Sequence, residues 1–229
     1  MEIKTLGNEL SQTISRIKDA KTTSQSIKVT EEPADKWKAL PIHQKMTYIK
    51  GFFAALIRKP IKETEQLKNA FNTIEEWLSG KMNPKNWLLI LGQVGLGKSK
   101  LATAICTAYN RVNYSPYSFE NTRKWRMYSA LQCVSAMKIE SETNEYSRLL
   151  KCSKLFIDDI GTEPDYQMVF GNKRNCIQEI LYSRYDRNLP TIITSNLTIE
   201  QLEKQYGLRV LDRLKEKSVL ISLVGESLR

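Results

Sequence analysis

Histidine is almost missing from this 229-residue chain, which has His43 alone, and its four cysteines stand apart at Cys106, Cys133, Cys152 and Cys176. None has the close partner of a zinc ribbon or finger, which excludes a site of that kind, and all four read as reduced core or surface residues. Long hydrophobic runs are missing too. The stretch GFFAALI, Gly51 to Ile57, is far shorter than the ~20 residues a membrane helix needs. The polar opening MEIKTLGNELSQTISRIKDAKTT lacks the apolar centre of a signal peptide. A cytoplasmic protein with no membrane partner is expected. Acidic excess is also lacking: 35 Lys and Arg against 25 Asp and Glu give a net charge of +10, most of it beyond Lys81. Such a balance suits a polyanion such as nucleic acid, or serves solubility alone.

What remains is ordinary globular composition, enough for one main domain. Residues 1–40 form a polar N-terminal arm in which Ile3, Leu6, Leu10, Ile14 and Ile17 can line one face of a short helix. The arm reads equally as a mobile, partner-binding segment or a small folded unit. Residues 41–80 read as a helical lead-in. Leu67, Phe71, Ile74 and Leu78 make one helical stripe that Gly80 ends, predicting a helix packed against the sheet downstream of it.

From residue 81 to 229, short apolar runs alternate with helix-like segments. WLLIL (Trp87 to Leu91), RMYSA (Arg126 to Ala130), KLFID (Lys154 to Asp158), PTIITSN (Pro190 to Asn196) and SVLISL (Ser218 to Leu223) predict strands. Helices are expected over Lys98 to Asn110, Ser129 to Lys138, Asn172 to Arg187 and Thr198 to Tyr206. Wholly apolar strands separated by helices predict an α/β fold, a parallel sheet with helices on both faces.

The first strand runs into Gly92-Gln93-Val94-Gly95-Leu96-Gly97-Lys98-Ser99, the G-x-x-x-x-G-K-[ST] pattern of the Walker A phosphate loop. Its glycines let backbone N–H groups turn toward an anion, and the helix behind adds its positive end. Lys98 is expected to meet the β- and γ-phosphates of ATP, Ser99 to ligate Mg2+, and Lys100 to flank the loop. KLFIDDIG supplies the acidic counterpart: Asp158 ends a buried strand and suits the metal, while Asp159 stands where many ATPases place a glutamate that orients water. Asn196 closes PTIITSN, as a sensor of the γ-phosphate or as a helix N-cap. In YGLRVLDRLKE, Arg209 and Arg213 share a helix face. They read as arginine fingers for a neighbouring subunit or as a solvated pair bonded to Asp212 and Glu216. Arg123, Lys124 and Arg126, with Trp125 and Tyr128 among them, read as a strand-contacting surface or as a solvated loop.

GQVGLGKS, LFIDDIGTE, TIITSNLT, YGLRVLDRL and the closing ISLVGESLR, in this order, resemble the DnaC/DnaI-type helicase loaders and the IstB-like ATPases of the AAA+ superfamily. The resemblance covers roughly residues 85–229. It implies the AAA+ P-loop fold, ATP and Mg2+ as ligands, and self-association through the ATP site. It implies Lys98 and Ser99 as Walker A, Asp158 and Asp159 as Walker B, Asn196 as sensor 1 and Arg213, or else Arg209, as the finger. The implied activity is ATP hydrolysis that places a replicative helicase on single-stranded DNA. Alternatives are an ATPase assisting a transposase, which would favour duplex DNA, an adaptor with weak turnover, and a small-molecule kinase. No arginine-rich lid for a kinase stands in the sequence.

Overall fold

A computed structural model describes residues 35–58, 64–114, 124–139 and 145–225. The chain divides into two units, Met1–Asp35 and Lys36–Arg229. The apolar spacing of the first twenty residues lies outside the described residues, as do Arg123 and the last four residues. Every helix and strand among the described residues belongs to the second unit.

Three helices precede the sheet: α1 (Lys36–Ala39), α2 (Ile42–Ile57) and α3 (Glu65–Leu78). Thr64 caps α3 by accepting from the Leu67 N–H at 3.3 Å, and Gly80 follows its end with φ 77°, a left-handed value that glycine reaches without strain. Leu67, Phe71 and Ile74 are buried as their spacing predicts, and Met46, Ile49, Phe53 and Ile57 line α2 in the same way. These side chains share one apolar cluster with Leu88 and Ile90 of the first strand. Each, when fully buried, contributes roughly 1.5–3 kcal/mol.

The main sheet has five parallel strands in the order β2 (Trp125–Ser129), β3 (Lys154–Ile160), β6 (Thr191–Ser195), β1 (Trp87–Gly92), β7 (Ser218–Leu223). Alternation along β1 divides the core: Leu88 and Ile90 face α2, α3 and α4 (Lys98–Val112), whereas Trp87, Leu89 and Leu91 face the opposite cluster. That cluster holds side chains of α5 (Ala130–Lys138), α6 (Glu145–Lys151), α7 (Cys176–Asp186), α8 (Ile199–Tyr206) and α9 (Leu208–Lys217). The inner strands β1 and β6 are buried along almost their whole length, as suits strands covered on both faces, whereas the edge strands expose Met127 and Leu220.

Three places differ from expectation, the first being α1, which folds within the stretch read as the polar arm and buries Trp37. The stretch predicted as helix from Asn172 starts as a strand: β4 (Gln167–Val169) and β5 (Asn172–Arg174) form a hairpin around Phe170 and Gly171, at φ 50° and 78°. The helix begins only at Cys176, where Asn175 caps it by accepting from the Gln178 N–H at 2.9 Å. The short α6 was not anticipated. Among the described residues, no helix is long and apolar enough to cross a membrane.

Candidate functional site

Three chain segments leave the sheet at the carboxyl ends of neighbouring strands β3, β6 and β1, the edge where ligands of open α/β sheets bind. After β1 come residues 93–97, then α4 begins at Lys98. Gly95 and Gly97 hold φ of 91° and 84°, the left-handed turns that aim successive N–H groups one way. Gly92 is constrained differently: a Cβ there would lie 2.3 Å from the Leu223 carbonyl oxygen of β7. Gln93 and Val94 are exposed, Leu96 is tucked into the core, and Gly97, Ser99 and Lys100 are half-buried. The first amides of α4 have no partner within the helix, so the loop suits an anion.

Lys98 is buried, with an exposure of 5%. Its ammonium donates to the Gln93 carbonyl at 2.8 Å and to Asn196 Oδ1 at 2.6 Å. Asn196 in turn donates from Nδ2 to Asp159 Oδ1 at 2.6 Å. One amide therefore bridges the lysine and the carboxylate, and brings together three residues from three segments. Asn196 is not the helix cap; Thr198 caps α8, with Gln201 completing a capping box. Burial, and the charge of Asp158 beside it, raise the Asp159 pKa above the ordinary carboxylate value, while Lys98 acts against the rise.

Thr194, on β6, ties the two aspartates. Its hydroxyl donates to Asp158 Oδ1 at 2.6 Å and accepts from the Asp159 N–H at 2.8 Å. Asp159 sits at φ 61°, a left-handed conformation uncommon for residues other than glycine, though aspartate and asparagine reach it more readily than most. The Thr162 hydroxyl donates to its carbonyl at 2.8 Å. Beyond it, the buried Glu163 accepts from the Gly161 N–H at 2.8 Å and from the Tyr206 hydroxyl. Sequence reasoning missed Thr194, Glu163 and Tyr206. For Thr194 a signal existed, since a hydroxyl inside the apolar run TIITS needs a partner.

A cavity of about 190 Å³ is lined by Val94, Gly95, Gly97, Lys98, Ser99, Lys100, Asp159 and Asn196. Asp158, bonded to Thr194, is not part of that wall. No group of three or more His, Cys, Asp or Glu able to hold a metal occurs among the described residues. Ser99 on the cavity wall and Asp158 on β3 are oxygen donors of the type Mg2+ takes when it is bound through one or two protein ligands together with phosphates.

Arg209 and Arg213 do not line this cavity. Arg209 is exposed on α9. The Arg213 guanidinium lies over the rings of Tyr182 and Tyr185, 4.2 and 4.8 Å from their centroids. Glu216 accepts from the Tyr185 hydroxyl at 2.6 Å; for Arg213, stacking on the tyrosines stands where a bond to Asp212 or Glu216 was the alternative. Trp125 is buried at 5% exposure and cannot stack on a base, which corrects that part of the surface read around residues 123–128. Tyr128 is half-buried and donates to Glu145 at 2.8 Å.

The family model described as IstB-like ATP binding protein matches residues 76–229. The phage-like element PBSX protein XkdC of Bacillus subtilis (strain 168) is 26% identical over 175 residues, 69% of this chain. The chain spans 60% of that relative's length. Among solved structures, the DnaI crystal structure matches with a TM-score of 0.56 at 21% identity, covering 81% of this chain and 100% of that one. The DnaC helicase loader matches at 0.55 and 20% identity, covering 73% and 96%. At these identities the likeness is one of fold, the AAA+ P-loop arrangement of sheet and helices.

Proposed function

This chain belongs to the IstB-like ATP-binding protein family, and from that premise we propose that it hydrolyses ATP and loads a replicative helicase onto single-stranded DNA. The observation that carries the ATPase reading is the bridge from Lys98 through Asn196 to Asp159. A γ-phosphate meeting Lys98 would lie beside the amide that holds the carboxylate, so phosphate charge and attacking water would be addressed by one hydrogen-bonded unit. Electrostatic stabilisation of developing charge is the main task in phosphoryl transfer.

In this reading the loop amides and Lys98 bind the phosphates, and Ser99 and Asp158 hold Mg2+, which would neutralise charge on the phosphate oxygens. Asp159 orients water, with Asn196 setting its rotamer. Arg213 serves the site of a neighbouring copy, because its place on α9 is away from its own cavity. The helicase partner is supported by the likeness to DnaC and DnaI. The second reading, a transposase as client, rests on the resemblance of the motif series to the IstB-like ATPases. A cytoplasmic location fits both.

The test is ATP turnover by the purified protein, alone and with single-stranded or duplex DNA. Lys98→Ala is expected to abolish turnover, and Arg213→Ala to lower it by about 10³-fold while ATP binding persists. Stimulation by single strands supports the loader, and stimulation by duplex alone supports the transposase partner. An Arg213→Ala protein as active as wild type removes the finger assignment.

A further inference from the structure

Between the acidic turn and the helix of arginines lies a buried polar contact that neither the phosphate loop nor the aspartates require. Glu163 is 6% exposed and Tyr206 1%. Glu163 uses both carboxylate oxygens, Oε2 for the Gly161 N–H and Oε1 for the Tyr206 hydroxyl. Burial first, and then the Glu163 charge, hold the Tyr206 phenol protonated far above its ordinary range, so it stays a donor. The Tyr206 carbonyl is held as well, accepting from Gln178 Nε2 of α7 at 2.7 Å.

The two ends of this contact are places where the backbone turns sharply. Gly161, at φ 94°, follows Asp159 by two residues and lies close against the segment leading into α8 and against α8 itself. A Cβ there would lie 2.4 Å from Leu197 Cδ1 and 3.3 Å from Gln205 Oε1. Tyr206 is the last residue of α8, and Gly207, at φ 82° and ψ 163°, is the turn directly before α9, which carries Arg209 and Arg213. A buried carboxylate is costly unless fully hydrogen-bonded, so a single packing solution is favoured at this point.

We propose that Glu163 and Tyr206 are positioning residues for ATP hydrolysis. Their contact sets the turn carrying Asp159 and registers it against the start of α9, so the acid of one site and the arginines offered to the next move together. This rests on the ATPase reading above. Neither residue touches the nucleotide cavity, so ATP binding does not depend on them.

The experiment uses the full chain and the variants Tyr206→Phe, Glu163→Gln and the double substitution, beside wild type and Lys98→Ala. Steady-state turnover, binding of a fluorescent ATP analogue and thermal unfolding are measured on each. Each single variant is expected to lower kcat on the order of tenfold, as slight misplacement of reacting groups does. KM and analogue affinity should stay within about twofold, the pattern of an interaction that matters only in the transition state. The double variant should be little worse than either single one, since residues acting through one contact are not additive. A purely structural role predicts instead that kcat and affinity fall together and recover on cooling; that result overturns the proposal. So do unchanged kcat values or losses that multiply in the double variant. Wild type without turnover, or an active Lys98→Ala, overturns the ATPase reading and this inference with it, whereas an active wild type with indifferent variants overturns this inference alone.

Discussion

Thr194 shows how much of the site depends on a side chain that no motif names. Its hydroxyl donates to Asp158 and accepts from the Asp159 amide, so Thr194→Val, similar in shape, removes two hydrogen bonds and strands a partly buried N–H. A loss of about 1–3 kcal/mol is expected, read from urea unfolding, together with reduced turnover. Serine at the same position should restore most of both. The aspartates were legible in the sequence because KLFIDDIG pairs an apolar strand with acids at its end. Thr194 was legible only as a hydroxyl in need of a partner, because its partners come from another strand and only the β3–β6 pairing reveals them. Asn196 was legible as polar, but its double task, accepting from Lys98 and donating to Asp159, is a property of the fold.

At the scale of elements, the strongest constraint is the contact between the end of β1 and β7. Gly92 faces the Leu223 carbonyl so closely that an added methyl would lie 2.3 Å from its oxygen, and its φ of 150° is disfavoured for other residues. Gly92→Ala should therefore destabilise the protein by on the order of 2 kcal/mol and displace the phosphate loop, detectable as weaker ATP binding alongside a lower melting temperature. A variant that keeps wild-type affinity would show that the loop is not set by this approach. The inner strands of the sheet were legible because buried parallel strands read as continuous apolar runs; β2, WRMYS, carries a weaker signal of this kind. The hairpin β4–β5 was not, since three-residue strands carry too little pattern, and the polar Asn172 to Arg174 resembles the first turn of the helix after it. Exposed Met168 and Phe170, at 69% and 71%, have no core to announce them.

On the scale of the whole molecule, the helices before residue 76 belong to the same core as the sheet. Ile49, Phe53, Phe71 and Ile74 share a cluster with Leu88, Ile90 and Ile105, and Trp37 meets Tyr109 at 5.7 Å between ring centroids. A fragment cut to the span of the family match, residues 76–229, would expose that face of α4 and of the sheet. It should be insoluble or bind hydrophobic dyes. The core also fixes the alkaline limit of stability. Burial pushes the Cys133 thiol up to about 12 from an ordinary 9.0 and raises Cys106, Cys176 and Tyr146 in the same sense. The folded state thus keeps protons that the unfolded chain gives up. Stability is full below pH 9 and falls as pH rises toward 12. Thermal unfolding across pH 8 to 11 should show a progressive drop, less steep in Cys133→Ala. A flat profile would contradict the burial of these groups.

The strand order carries a consequence for the birth of the molecule. β1 lies between β6 and β7, and both partners are synthesised long after it, with Trp87 waiting for Thr191 on one side and Ser218 on the other. Pairings between distant parts of a chain form late, because loop closure must precede any gain from contact. While the ribosome is still making α7, the run WLLIL has no strand beside it and is open to mispairing or capture by a chaperone. Lys98 can meet Asn196 only once β6 has docked, so on the path from nascent chain to finished protein the nucleotide site is among the last places to exist.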